Sequence, residues 1–317
     1  MIVKPVLIVG APRSGTSMLQ KILRGHPAAW SLPSESDIIW ERYCHPRLRD
    51  WKSQTLSEAD IDEEMCRALL RQFGRYAAPA SVWKPVERTG MIWDFQRRRS
   101  IRRVLRAAFA AVYPLVGAML WARRPQRLIE KTASNCFRLG FVNEVFPDAK
   151  ILYPTRDGRN SVNSLLQGWL HPTRFFTYDV PEPLSIEGYP HEGWKFVLPD
   201  GWRDYTNRPL EEVCAFQWLA CHEAMLAEIS KPKYSGRVLR FRLEDLTEEP
   251  EEWLRRITEF AELPYDDYFR GVARDLPVVN SPDGNVSREK WRQENPERIQ
   301  NVLPTIAAMQ RTLGYED

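Results

Sequence analysis

Three groups of side chains in this 317-residue chain have types and spacing suited to work on a polyvalent anion. The first is the octet Gly10-Ala11-Pro12-Arg13-Ser14-Gly15-Thr16-Ser17. A glycine-bearing loop that opens a helix aims several N–H groups and the positive end of the helix dipole at one point, which suits a phosphate. The octet is close to the phosphate-loop pattern GxxxxGK[ST], but Thr16 stands where the lysine belongs and the cation, Arg13, has moved inside the loop. An ATPase or kinase puts that lysine on the β and γ phosphates, so ordinary triphosphate chemistry is disfavoured. The second group is the run Arg156 to Ser164, with an arginine at the end of a strand and a serine eight residues on. An arginine fork gives a phosphate dianion two charge-assisted hydrogen bonds, and a hydroxyl near a helix start adds a neutral donor. The third group is scattered: Glu35 and Asp37 within an apolar, proline-bearing stretch, Lys131 at the end of RLIEK, and Lys290 in SREKW.

These groups need elements to hold them. Val6 to Val9 reads as a strand buried on both faces of a parallel sheet. Met18, Leu19, Ile22 and Leu23 mark the following helix, which Gly25-His26-Pro27 stops. Trp30 to Trp40 reads as a short strand or loop, and Ser57 to Phe73 as an amphipathic helix. Arg127–Lys131, Lys150–Pro154 and Arg237–Phe241 are further strands; Glu211–Ile229, a helix from Pro250 and a last one from Pro296 to Gly314 lie between or after them. No repeat and no linker is visible. The chain is expected to form one α/β domain over residues 1–317, a central parallel sheet flanked by helices. Residues 167–208 show no period and are dense in aromatics, the mark of a functional loop or lid.

The formal charge, 45 − 42 = +3, is too small to suggest nucleic acid as a partner. Five cysteines form no CxxC pair, and Cys214 and Cys221 lie two turns apart on one expected helix, too far to bridge. Reduced thiols and a cytoplasmic location are expected. The apolar run at the N-terminus is only about five residues long, which is not the pattern of a signal peptide. Ala107–Ala122, flanked by arginines and interrupted by Pro114 and Gly117, is short for a bilayer span. It reads as a kinked core helix or as a peripheral membrane contact.

Pro12-Arg13-Ser14-Gly15-Thr16 resembles the 5′-phosphosulfate loop of sulfotransferases, in particular the tyrosylprotein and bacterial branch. The run from Arg156 to Ser164 looks like that family's 3′-phosphate motif. Phe146-Pro147-Asp148-Ala149-Lys150, Lys290-Trp291 and Leu313-Gly314-Tyr315 also fit, and Leu243-Glu244-Asp245-Leu246 resembles its YEDL-like element with Leu243 in place of the aromatic. The resemblance implies a P-loop-NTPase-like sulfotransferase fold and 3′-phosphoadenosine 5′-phosphosulfate as donor, with no metal. It implies Arg13, Ser14, Gly15, Thr16 and Ser17 around the 5′-phosphosulfate, Arg156 and Ser164 on the 3′-phosphate, and Lys290 on the nucleotide. Lys131 would serve the leaving group. Glu35, nine residues after His26, resembles the family glutamate that follows HP and is expected to be the base, with Asp37 and then His26 as competitors. The aromatic segment 167–208 points to a carbohydrate, glycolipid or hydrophobic small-molecule alcohol as acceptor, ahead of a peptide tyrosine. A P-loop nucleotide or small-molecule kinase and a non-catalytic nucleotide-binding module are the alternative functions.

Overall fold

A run that is apolar at every position must bury both faces of its pleat, and Val6–Ile8 (β1) does so. The computed structural model describes residues 2–32, 34–82, 127–279 and 289–316. Leu7 and Val9 enter one core with Leu128, Ile151 and Tyr153, while Val6 and Ile8 enter a second with Leu19, Ile22, Leu152 and Leu254. The other strands are β2 (Ala29–Ser31), β3 (Ala78–Pro79), β4 (Arg127–Lys131), β5 (Lys150–Thr155), β6 (Thr177–Tyr178), β7 (Trp194–Lys195) and β8 (Val238–Arg242). Six of them form one sheet in the order β3-β2-β4-β1-β5-β8. Every pairing in it is parallel except the edge pair β2–β3. This is the expected α/β architecture.

Ile8 stands level with Lys131 on one side and Leu152 on the other. The segments that leave β1, β4 and β5 therefore emerge side by side. The chain fills the sheet on one side of β1 before crossing to β5, so their carboxyl ends open the crevice where α/β sheets bind ligands. The helices that matter for this crevice are α1 (Thr16–Arg24), α2 (Asp37–Cys44), α3 (Glu63–Tyr76), α4 (Leu139–Val145), α5 (Gly158–Leu170) and α6 (Leu210–Ile229).

Two readings of the sequence need amendment. Trp30–Trp40 is a strand followed by the start of α2, because Asp37 in the first turn complements the helix dipole and a helix can begin there. Residues 167–208 are not wholly irregular. They complete α5, then form the antiparallel pair Thr177↔Lys195 and Tyr178↔Trp194, and a 3-10 turn at Trp202–Tyr205. Two-residue strands are too short to show a period. The tryptophans of this segment face inward: Trp169, Trp194 and Trp202 are fully buried, and their indole N–H groups donate to Gln217 Oε1, the Val197 carbonyl and the Trp51 carbonyl. All five cysteines are free thiols. Ala107–Ala122 lies outside the described residues, and among the described residues no helix is long and apolar enough to cross a membrane.

Candidate active site

The loop after β1 is shaped by two close approaches. A Cβ on Gly10 would lie 2.9 Å from the Pro154 carbonyl oxygen, so only glycine lets the ends of β1 and β5 come together here. Gly15 has φ of +86°, and a Cβ there would meet Leu243 Cδ1 at 2.5 Å. Leu243, which replaces the expected aromatic, is thus the residue that closes over the loop. Arg13 also sits at positive φ, +73°, a costly conformation for a long side chain that is usual where a site over-determines it. Ser14 Oγ donates to the Ala11 carbonyl at 2.5 Å and pins the turn. No side chain caps the N-terminus of α1, and its first turn carries no acidic residue, so Thr16 and Ser17 present their N–H groups at an uncompensated positive dipole end.

Arginines converge on this loop. Arg13 Nε donates to Ser164 Oγ at 2.8 Å, and Arg156 Nη1 donates to the Arg13 carbonyl at 3.1 Å. The loop and the Arg156–Ser164 run are therefore one site. Burial, and then the nearby Arg156 and Arg174, push the Arg13 guanidinium down to about 9. Burial also lowers Arg156, against Glu244 and Asp157. Asp157 caps α5, accepting from the N–H groups of Arg159 and Asn160, which fixes the turn that carries Arg156. Like charges held together while partly desolvated are stabilised by a bound polyanion.

The other end of the crevice is built around Lys131, which is 2 % exposed. Its Nζ donates to Ser17 Oγ at 3.2 Å and forms a short ion pair with Glu35. One ammonium therefore touches both the anion loop and the candidate base. Beneath it, Glu130 is fully buried and accepts from Trp40 Nε1 at 3.0 Å, Thr132 Oγ1 at 2.8 Å and Asn135 Nδ2 at 3.0 Å. Burial still raises its carboxyl above the usual range. Thr132 Oγ1 also accepts from the Ser36 N–H at 3.0 Å, which ties the Glu35 segment to β4.

The competing bases fare differently. Burial, then Glu41 and Glu35, push the Asp37 carboxyl well above the carboxylate range, against Arg138 at 4.0 Å. The Asp37 side chain is 17 % exposed against 35 % for Glu35, so Glu35 is the more open of the two carboxyls. His26 is buried against the Phe269 ring (5.0 Å), its Nδ1 accepts from Ala28 N–H and its Nε2 pairs with Asp266. It holds a turn and stands outside the site. Lys290, 8 % exposed, pairs with Glu294 at 3.1 Å, whose other oxygen accepts from Asn163, the neighbour of Ser164. It lies beside α5 rather than in the loop.

Sequence reading missed two features. Glu41 accepts from the Tyr178 hydroxyl at 2.7 Å, and Gln54 donates to the same hydroxyl at 2.5 Å. Phe175 lies beneath Arg13, with the guanidinium carbon 4.9 Å from the ring centre. Both link residues more than a hundred positions apart, and no local pattern announces them. Among the described residues no cluster of His, Cys, Asp and Glu is arranged to hold a metal ion.

A sulfotransferase-family profile matches residues 5–185. The chain is 23 % identical to protein-tyrosine sulfotransferase A of Caenorhabditis elegans over 98 % of its own length and 67 % of that protein. It is 22 % identical to the protein-tyrosine sulfotransferase of Drosophila melanogaster, again over 98 % of its length but 51 % of the relative's. Among solved structures it resembles the sulfotransferase domain from the curacin biosynthetic pathway (14 % identity, TM-score 0.47, 99 % of both chains). It also resembles a sulfotransferase from Alicyclobacillus acidocaldarius (15 % identity, TM-score 0.46, 100 % and 98 % covered).

Proposed function

This chain belongs to the sulfotransferase family, and from that premise we propose that it moves the sulfuryl group of 3′-phosphoadenosine 5′-phosphosulfate to an acceptor hydroxyl. The donor has two anionic ends, and the residues present suit both. Thr16 and Ser17 at the uncapped helix start, with Arg13, Ser14 and Gly15, would hold the phosphosulfate, and Arg156 with Ser164 the 3′-phosphate. The donor supplies an activated sulfur–oxygen bond; everything else falls to the chain.

The observation that carries the reading is the position of Lys131 between Ser17 and Glu35. In-line transfer needs a cation at the oxygen that keeps the electron pair of the broken bond and a base at the attacking hydroxyl. Lys131 is next to the loop and can neutralise that developing charge. Glu35 accepts the acceptor's proton as its oxygen bonds to sulfur. The existing ion pair holds the base within one side chain of the donor loop before either substrate arrives.

For the acceptor we favour a neutral alcohol, a carbohydrate, glycolipid or hydrophobic small molecule, selected in part by residues 167–208. Glu41 lies on α2 just past Glu35, and a carboxylate there repels a polyanion. The names of the tyrosine-sulfating relatives support a second reading, a peptide tyrosine. The test has two arms. 3′-Phosphoadenosine 5′-phosphate should raise the melting temperature where ATP does not, and sulfur label from the donor should appear in lipid or glycan pools. A shift with ATP alone would favour a kinase. Label only in acidic tyrosine peptides would overturn the acceptor choice.

A further inference from the structure

Ser164 and Gly168 stand one turn apart on the same face of α5. Ser164 receives the Arg13 Nε bond. At Gly168 a Cβ would overlap Phe196 Cζ and come within 3.2 Å of Phe175 Cε2. The missing side chain is what lets an aromatic pair lie against the helix, ring centres 4.9 Å apart and tilted by 36°. Phe175 in turn lies under Arg13 at 4.9 Å and Arg174 at 5.5 Å. Both phenylalanines have positive φ, +71° and +66°. Bulky side chains rarely adopt that conformation, and it persists only where the surroundings enforce it.

We propose that the Phe175–Phe196 pair is a positioning floor for Arg13, setting the plane of its guanidinium so that the fork is ready for the donor's anion. The proposal rests on the donor reading above. The physical need is plain. Arg13 sits beside Arg156 and Arg174, and repulsion among three cations favours an Arg13 that swings away when no anion is present. The negative face of an aromatic ring attracts the guanidinium and opposes that swing, more strongly where water is scarce. Ser164 fixes one edge of the fork through Nε, and the ring fixes its plane. Two-point recognition of a phosphate or sulfate depends on that plane. Phe196 supports Phe175 from beneath, and Gly168 makes room for Phe196.

The experiment is calorimetry of the full chain with two probes, 3′-phosphoadenosine 5′-phosphate and inorganic pyrophosphate. Phe175→Leu keeps an apolar side chain but loses the ring, and should weaken both by about tenfold, the middle of the cation–π range. Phe175→Tyr should restore affinity to within about threefold of wild type, since it keeps the ring face. Gly168→Ala favours the helix intrinsically yet displaces Phe196, and should behave like Phe175→Leu. In an Arg13→Ala background Phe175→Leu should have no further effect. Equal loss in both backgrounds, or wild-type affinity in Phe175→Leu, would overturn the positioning role. Wild-type protein that binds pyrophosphate but not the nucleotide would remove the donor reading, and the ring's role would then be decided by the pyrophosphate series.

Discussion

The two ends of the crevice are built in opposite ways. At the anion end, Gly10 to Ser17 and Arg156 to Ser164 are two continuous runs, each set by its own turn and helix start, and they meet through the Arg13–Ser164 bond. At the end proposed for the acceptor, Glu41, Gln54 and Tyr178 are joined by single hydrogen bonds across more than a hundred positions, and Glu35 is held by Lys131. Lys131 is the one described side chain that touches both Ser17 and Glu35. On the proposed function, the donor's surface is encoded locally, whereas the acceptor's is assembled by the fold. Substitutions should therefore separate by end, with Lys131 affecting both.

Lys131→Ala should give the largest effect. It removes the cation beside the loop and leaves Glu35 without its partner, so turnover should fall by about 10³-fold, the scale of a lost transition-state contact. Initial rates with labelled donor measure it, and a loss below tenfold would detach Lys131 from the chemistry. Arg156→Ala should weaken 3′-phosphoadenosine 5′-phosphate by about 2 kcal/mol or more while sparing acceptor KM, as calorimetry and kinetics can establish.

Acidity sharpens the contrast. Burial and the neighbouring arginines lower Arg13 to about 9 in the folded chain. For a cation lowered on folding, the penalty is present in full below about pH 9 and fades above it toward the ordinary arginine range, as the folded state gives up the proton first. The same proton loss removes an anion contact. Nucleotide affinity should hold steady from neutral pH to about 8 and decline above about 9, while Arg13→Ala should be weak and flat over that window. A wild-type affinity that stays level through pH 10 would contradict this. The smallest effect belongs to the end proposed for the acceptor: Tyr178→Phe removes the hydroxyl between Glu41 and Gln54, about 1 kcal/mol of hydrogen bonding. It should change acceptor KM by a few fold and leave nucleotide affinity alone, which sets it apart from Arg156→Ala.

How much was legible in the chain follows the same division. The apolar run at β1, the glycines of the loop and the Arg-to-Ser spacing are local signals; the first located a strand of the sheet, and the other two mark runs that the fold brings together through the Arg13–Ser164 bond. The start of α2 has little signal of its own, since an eight-residue helix that begins at Asp37 shows barely two turns of period. The aromatics of residues 167–208 suggest a loop or lid, but a tryptophan that can bury its ring and still bond its N–H gains more inside, as Trp169, Trp194 and Trp202 do. Phe175 under Arg13 had no sequence signal, since its position depends on the space left by Gly168.

The most direct measurement is Glu35→Gln, assayed for sulfuryl transfer and, by calorimetry, for 3′-phosphoadenosine 5′-phosphate. If Glu35 is the base at the acceptor end, turnover falls by at least about 10²-fold while nucleotide affinity stays near wild type. Full activity in Glu35→Gln, above all if Asp37→Asn is the variant that fails, would contradict the assignment of the base and the division of the site into two ends.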